Sequence, residues 1–309
     1  MSNQGRIPLY YFSGSGNTKY CSELVQRGFQ DKNIQVKLIK VKNVKKFPFP
    51  DENKMYPAIG LAFPVYEFMI PRIILIWLNQ LPSAHHTTPV FIIDTSAGIP
   101  CDSAGVAMDL LRKKNYEPLG VLEVPTPTAE PFCSNKYYPI GWAPEIIDRC
   151  YSFGLLIAKR LWTEDDRFVN LRLSRFRFKF LTRYAYRYII KGLASTKAST
   201  KGLIKFDTHS CNKCGLCERI CPMAAIEISN SSNLINFNRC MYCTTCIRIC
   251  PTHAIKLSYR GKKKTLSPAK RAPKTIPGYI SPGKYIQKIP TKISSRYLKL
   301  AIEMIKAYK

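Results

Sequence analysis

Acidic side chains are scarce in this chain of 309 residues: 20 Asp and Glu stand against 48 Lys and Arg, a net charge of +28. Long apolar runs are lacking as well. The longest, residues 60–81, is broken by Pro64, Glu67, Pro71 and Arg72, which a spanning helix would have to bury in lipid, so no transmembrane span is expected. Residues 1–12 hold no apolar stretch after a basic region. No secretory signal or transit peptide is read there, and the reducing cytoplasm is the expected compartment. In that compartment twelve cysteines read as metal ligands before they read as disulfides. What is plentiful excludes wholesale disorder: 46% of residues are hydrophobic and 12% aromatic, enough to bury a core. The length suggests about two domains.

The positive charge is unevenly placed. Residues 167–200 carry nine basic and no acidic side chains, and residues 256–309 carry fifteen basic ones and Glu303 alone. The excess therefore sits on a linker and a tail, outside the segment richest in cysteine.

In that segment cysteines stand at 211, 214, 217 and 221, followed by Pro222, and again at 240, 243, 246 and 250, followed by Pro251. Each member of the second run lies 29 residues after its counterpart, and the same offset carries Phe206 onto Ile235 and Ile226 onto Ile255. The segment is an internal duplication, so it holds two similar sites. Three cysteines at steps of three let one loop grip three corners of a cubane, and the displaced fourth reaches the other cluster. By that rule Cys211, Cys214, Cys217 and Cys250 hold one [4Fe–4S] cluster, and Cys240, Cys243, Cys246 and Cys221 hold the other. The competing metal is zinc, which would use two Cys-x-x-Cys pairs and leave a third cysteine of each run without a task. The halves differ where Gly215 is replaced by Thr244, a change expected to alter hydrogen bonding to sulfur and to separate the two potentials. Residues 205–257 resemble the bacterial two-cluster ferredoxin pattern throughout.

Upstream, residues 7–12, 35–41, 58–63, 89–95 and 118–124 read as short buried strands, with helical patterns at 17–30, 71–81, 103–115 and 144–162. This alternation predicts an α/β doubly wound, five-stranded parallel sheet whose ligands sit beyond the carboxyl ends of its strands. Three loops then matter. The first, Ser13-Gly14-Ser15-Gly16-Asn17-Thr18, offers hydroxyls and backbone N–H groups at a helix N-terminus, a cradle for a phosphate dianion. It is neither a dinucleotide fingerprint nor a Walker loop, because Lys19 stands where a third glycine belongs and no Gly-Lys-Ser/Thr closes it. The second, Pro64-Val65-Tyr66-Glu67-Phe68, ends the third strand with two aromatics suited to an isoalloxazine ring. The third, Thr95-Ser96-Ala97-Gly98, offers small residues and N–H groups to the ring's polar edge.

The first loop looks like the phosphate loop of flavodoxins. The three loops in this order, joined to a two-cluster ferredoxin, resemble the flavodoxin-fused ferredoxin family of anaerobic microbes over nearly all of residues 6–258. That resemblance implies electron transfer, FMN on the three loops, and a small α+β ferredoxin domain with the cubane ligands given above. The expected organisation is a flavodoxin-like domain at 1–162, a basic aromatic linker at 163–202, the ferredoxin domain at 203–260 and a basic Pro-rich tail at 261–309. A short Ser/Gly loop before a helix also serves as a cap and tight turn, and Tyr66 also suits rim packing. Two readings therefore stand: an FMN-bearing relay, and a carrier whose first domain binds no flavin and only docks partners.

Residues 167–191 interleave seven aromatics with eight basic side chains. They read as a strut between the domains, or as a surface attracted to an acidic redox partner or an anionic membrane. Nucleic-acid binding ranks third, since no recognised nucleic-acid module accompanies them. Residues 292–308 are expected to form a basic helix. Cys21, Cys101, Cys133 and Cys150 read as small core or loop residues, and His209 and His253 as surface or capping residues.

Overall fold

The computed structural model describes residues 6–51, 54–66, 69–96, 100, 102–126, 144–164, 167, 169–171, 204–229, 233–259 and 262–264. The tail helix expected at 292–308, nearly all of the aromatic linker, Cys101 and Cys133 lie outside them.

Four of the strands come from apolar runs that alternate between two buried faces. In β1 (Ile7–Tyr11) the side chains of Ile7, Leu9 and Tyr11 enter one core, while Tyr10 and the following Phe12 enter the other. Such two-sided burial belongs to a parallel sheet covered by helices on both faces. β1 pairs in parallel with β2 (Val36–Lys40) and β3 (Ile59–Pro64), followed by β4 (Thr88–Ser96) and β5 (Tyr116–Pro125). The order 2-1-3-4-5 is that of the flavodoxin-like doubly wound fold. A short sixth strand, β6 (Val169–Leu171), extends the sheet beside β5 from the stretch expected to be linker.

Helices α1 (Asn17–Gln30) and α4 (Pro144–Thr163) cover one face. Their backbones touch where two glycines cross. A Cβ on Gly28 would collide with the Tyr151 carbonyl, and one on Gly154 with the Val25 carbonyl. Helices α2 (Arg72–Gln80) and α3 (Ser103–Arg112) cover the other face, around the fully buried Trp77.

The cysteine-rich segment folds as two copies of one unit. β7 (Ile204–Phe206) pairs antiparallel with β10 (Ile255–Tyr259), and β8 (Ile226–Ile228) with β9 (Asn233–Ile235). A third strand, β11 (Lys262–Lys264), lies antiparallel to β10. Short helices α5 (Leu216–Ile220) and α6 (Thr245–Ile249) each follow a residue in the left-handed region, Gly215 at φ 68° and Thr244 at φ 57°. The duplication extends to backbone torsions. Lys213 matches Tyr242 at φ 55° and 54°, and Ala224 matches His253 at 48° and 53°. A β-branched residue at positive φ is strained, so Thr244 keeps the geometry its glycine counterpart adopts freely.

Among the described residues no helix is long and apolar enough to cross a membrane.

Candidate functional site

The eight cysteines of the two runs part into two recesses. Cys211, Cys214, Cys217 and Cys250 line one, of about 290 Å³ counted to the open solvent. Cys221, Cys240, Cys243 and Cys246 line the other, of about 380 Å³. Each recess thus draws its fourth cysteine from the other half of the repeat. The ten described cysteines are all free thiols. Among the described residues no three His, Cys, Asp or Glu are spaced to hold a single ion. Four cysteines around each recess suit a four-iron cluster.

Backbone donors already point at the sulfurs. The N–H of Ala225 donates to Cys221 Sγ and that of Ala254 to Cys250 Sγ, both at 3.2 Å, one bond in each half of the repeat. Burial pushes the Cys240 thiol up to about 12 and Cys217 up to about 11, and it raises Cys243 and Cys246 as well. Cys250 goes the other way. Burial would raise it, but backbone N–H groups and the Thr252 hydroxyl together hold it below the ordinary thiol value. Buried thiols that resist ionisation in water give up their protons to metal, which supplies the missing countercharge.

The two recesses meet the rest of the protein differently. The one lined by Cys221, Cys240, Cys243 and Cys246 packs on the carboxyl ends of the sheet, where Met223 and Ala225 join the core around Trp77. The Val44 N–H donates to the Pro222 carbonyl at 3.0 Å, and Arg72 donates to the Asn238 carbonyl. The closest junction is at the first loop. The Thr245 hydroxyl lies 3.1 Å from the Gly14 carbonyl and 3.3 Å from Cys243 Sγ. A Cβ on Gly14 would meet the Tyr66 hydroxyl and the Cys243 carbonyl, so only glycine fits there.

The loops singled out in the sequence come together at this end. The Gly16 N–H donates to Ser13 Oγ at 3.0 Å, and Gly16 turns the chain at φ 104° into α1, whose N-terminus has no side-chain cap. Open space lies beside Gly16, with no heavy atom within 4 Å of where its Cβ would be. Thr18 is buried, and its hydroxyl shares a hydrogen bond of 2.8 Å with that of Thr95 on β4. Pro64 pairs in register with Thr95, the Val65 N–H donates to the Thr95 carbonyl at 2.7 Å, and Ser96 accepts from the Thr126 N–H at 2.7 Å. Ser15 and Asn17 are half-buried at the mouth of this loop. Phe68, Ala97 and Gly98 lie outside the described residues.

Tyr66 departs from expectation. Instead of standing open to a ring, its hydroxyl rests on Gly14 and its ring meets Phe12 edge-on at 6.3 Å. Burial, with the Cys243 thiol nearby, raises its pKa, while Arg248 opposes the rise. Lys40, at the end of β2, is held low by burial and by the charges of Lys42 and Lys19, with Cys243 among its neighbours. Lys40, Thr245 and Arg248 were invisible to sequence reasoning. Two buried carboxylates, Asp94 and Glu123, also stand in register on β4 and β5, with Arg149 of α4 near Glu123.

Comparison with known proteins separates the two modules. Residues 203–251 match the family model of the 4Fe-4S dicluster domain. That segment is the duplicated cysteine unit, and it is a two-cluster module. No curated protein sequence matches the chain. Among solved structures, the first module is similar to a flavodoxin from the domain Archaea, at 15% identity and TM-score 0.38 over 51% of this chain and 99% of that one. It is similar also to Megasphaera elsdenii flavodoxin, at 14% identity and TM-score 0.37 over 50% and 98% of the two chains. Rubredoxin oxygen:oxidoreductase from Desulfovibrio gigas is similar at 13% identity and TM-score 0.37, over 52% of this chain and 36% of that one. The strand order 2-1-3-4-5 upstream is flavodoxin-like, and residues 203–251 are the segment that matches the 4Fe-4S dicluster model.

Proposed function

We propose that the protein is an electron-transfer iron–sulfur flavoprotein of the flavodoxin-fused ferredoxin kind, passing single electrons between FMN and two [4Fe–4S] clusters in the cytoplasm. Cys211, Cys214, Cys217 and Cys250 hold one cluster, and Cys221, Cys240, Cys243 and Cys246 the other. The observation that carries the reading is the junction at the first loop, where Thr245 bridges the Gly14 carbonyl and Cys243 Sγ. Cys243 would hold its cluster beside a loop built like a phosphate cradle.

The residues present fit the phosphate end of FMN. The uncapped α1 N-terminus, the open space at Gly16 and the buried Thr18 hydroxyl favour an oxyanion, and the positive charges of Lys40 and Lys42 strengthen the field, while Lys19 is paired with Glu23. Bound there, FMN supplies conversion between one- and two-electron chemistry. The protein's own part is to hold the loop still, to exclude water at the buried Thr18–Thr95 pair, and to keep Cys243 pressed on Gly14.

The packing of Tyr66 on Gly14 favours the second reading, in which the first domain binds no flavin and only docks partners. Anaerobic cofactor analysis decides both questions. The account expects iron and acid-labile sulfide in equal amounts, with FMN released by acid. Stoichiometric zinc without sulfide rejects the cluster assignment. Iron and sulfide without FMN, and no quenching of FMN fluorescence on titration, leave the partner-docking role.

A further inference from the structure

Docking breaks the symmetry of the duplicated module. Pro222 is buried and Met223 is 4% exposed in the core around Trp77, while their counterparts Pro251 and Thr252 face outward or lie half-buried. Cys243 is walled by Gly14 and Tyr66, whereas its counterpart Cys214 is exposed. Tyr242 is half-buried, and the matching Lys213 is exposed. One recess therefore looks inward to the phosphate loop and the other outward to solvent.

The outward recess carries the features of a docking point. Ile249, next to Cys250 in the chain, is 39% exposed, and Pro251 is exposed beside it. Lys213 lines the recess, Arg219 lies against the lining Gly215 and Lys205 adjoins the lining Phe206, all three exposed, against the exposed Glu218 and Glu227. Asp207 adds no net negative charge, because Lys256 pairs with it at 2.8 Å. A small apolar centre with a basic rim is complementary to an acidic protein surface.

We propose that the outer recess of Cys211, Cys214, Cys217 and Cys250 is the port through which the protein exchanges electrons with an acidic one-electron carrier protein, and that the inner recess is an internal station between this port and the phosphate loop. This rests on the electron-transfer reading above. Each exchange moves one electron: the carrier's reduced centre is oxidised by one electron, the port gains it, and no bond or proton changes hands.

The test uses full-length protein with its iron and sulfide content verified, and a reduced acidic plant-type [2Fe–2S] ferredoxin as the probe. Stopped-flow and freeze-quench spectra report the second-order rate at several salt concentrations. Two surface variants are compared, Lys213→Glu/Arg219→Glu at the port and Lys45→Glu/Lys46→Glu on the exposed segment beside the inner recess. The port variant is expected to react about tenfold more slowly at low salt and to lose most of the salt dependence. The other pair should stay within about twofold of wild type, since it lies away from the point of encounter. An unchanged port variant, a slowed Lys45/Lys46 variant, or no reduction by the probe at low salt overturns the proposal. Loss of iron and sulfide in the wild type would instead defeat the underlying reading, so the two failures are distinct.

Discussion

Thr245 has one hydroxyl proton and two acceptors within reach, the Gly14 carbonyl at 3.1 Å and Cys243 Sγ at 3.3 Å. Whatever fixes the loop carbonyl also decides how much of that proton the sulfur receives. A hydrogen bond to a ligating sulfur stabilises the more negative, reduced cluster and raises its potential. Thr245→Val is therefore expected to lower the midpoint potential of one cluster only, with Thr245→Ser restoring it, as read by EPR-monitored redox titration. A shift in both clusters, or in neither, would remove Thr245 from this role. Cys221→Ser should cost the inner cluster, held with Cys240, Cys243 and Cys246, and spare the outer one. Iron content and the surviving EPR signal check this, and loss of the outer cluster instead would undo the crossed assignment. The cysteines were legible in sequence because cluster ligation imposes a short, regular spacing. Thr245, Lys40 and Arg248 were not, since a contact between residues 14 and 245 is a tertiary fact that no local pattern carries. Tyr66 was legible as a loop aromatic, but its direction depends on the second module.

Helices α1 and α4 approach until backbone meets backbone at Gly28 and Gly154. Gly154→Val would force them apart and is expected to cost about 1–3 kcal/mol or more by overpacking, measured by denaturant unfolding of the whole protein. An unchanged midpoint would show that the helices have room to separate. The five strands and four helices of the first module were readable because two-sided burial writes continuous apolar runs into β1, β3, β4 and β5, and one-sided burial writes a helical stripe into α1 and α4. The short strands β6 to β11 are not marked individually in the sequence, and two of them show why. β6 has three residues in a basic stretch, too few to show a period. β11 is three lysines in a row, with no apolar alternation at all. It is held by pairing with β10, and lysine is well tolerated on edge strands.

Across the whole molecule, the two modules share a core. Met223 and Ala225 belong to the same buried cluster as Trp77, and the Cys243 backbone lies on Gly14. Both modules are recognisable in the sequence but their docking is not, because the surfaces that meet are a Ser/Gly loop and a cluster loop, neither of which shows an unpaired apolar stripe. Gly14→Ala is expected to loosen the junction by about 1–3 kcal/mol, with iron content unchanged, as a lower Tm of the intact protein. An unaltered Tm would mean that Tyr66 moves aside freely. The central claim is that the inner cluster site and the phosphate loop form one fixed relay. Its most direct test is rapid mixing of FMN-loaded protein with a reductant that reaches the clusters first. Flavin bleaching should follow cluster reduction at a rate independent of protein concentration, since tethered partners react as one molecule. A rate that rises with protein concentration, or no transfer at all, would contradict the relay and leave two independent carriers on one chain.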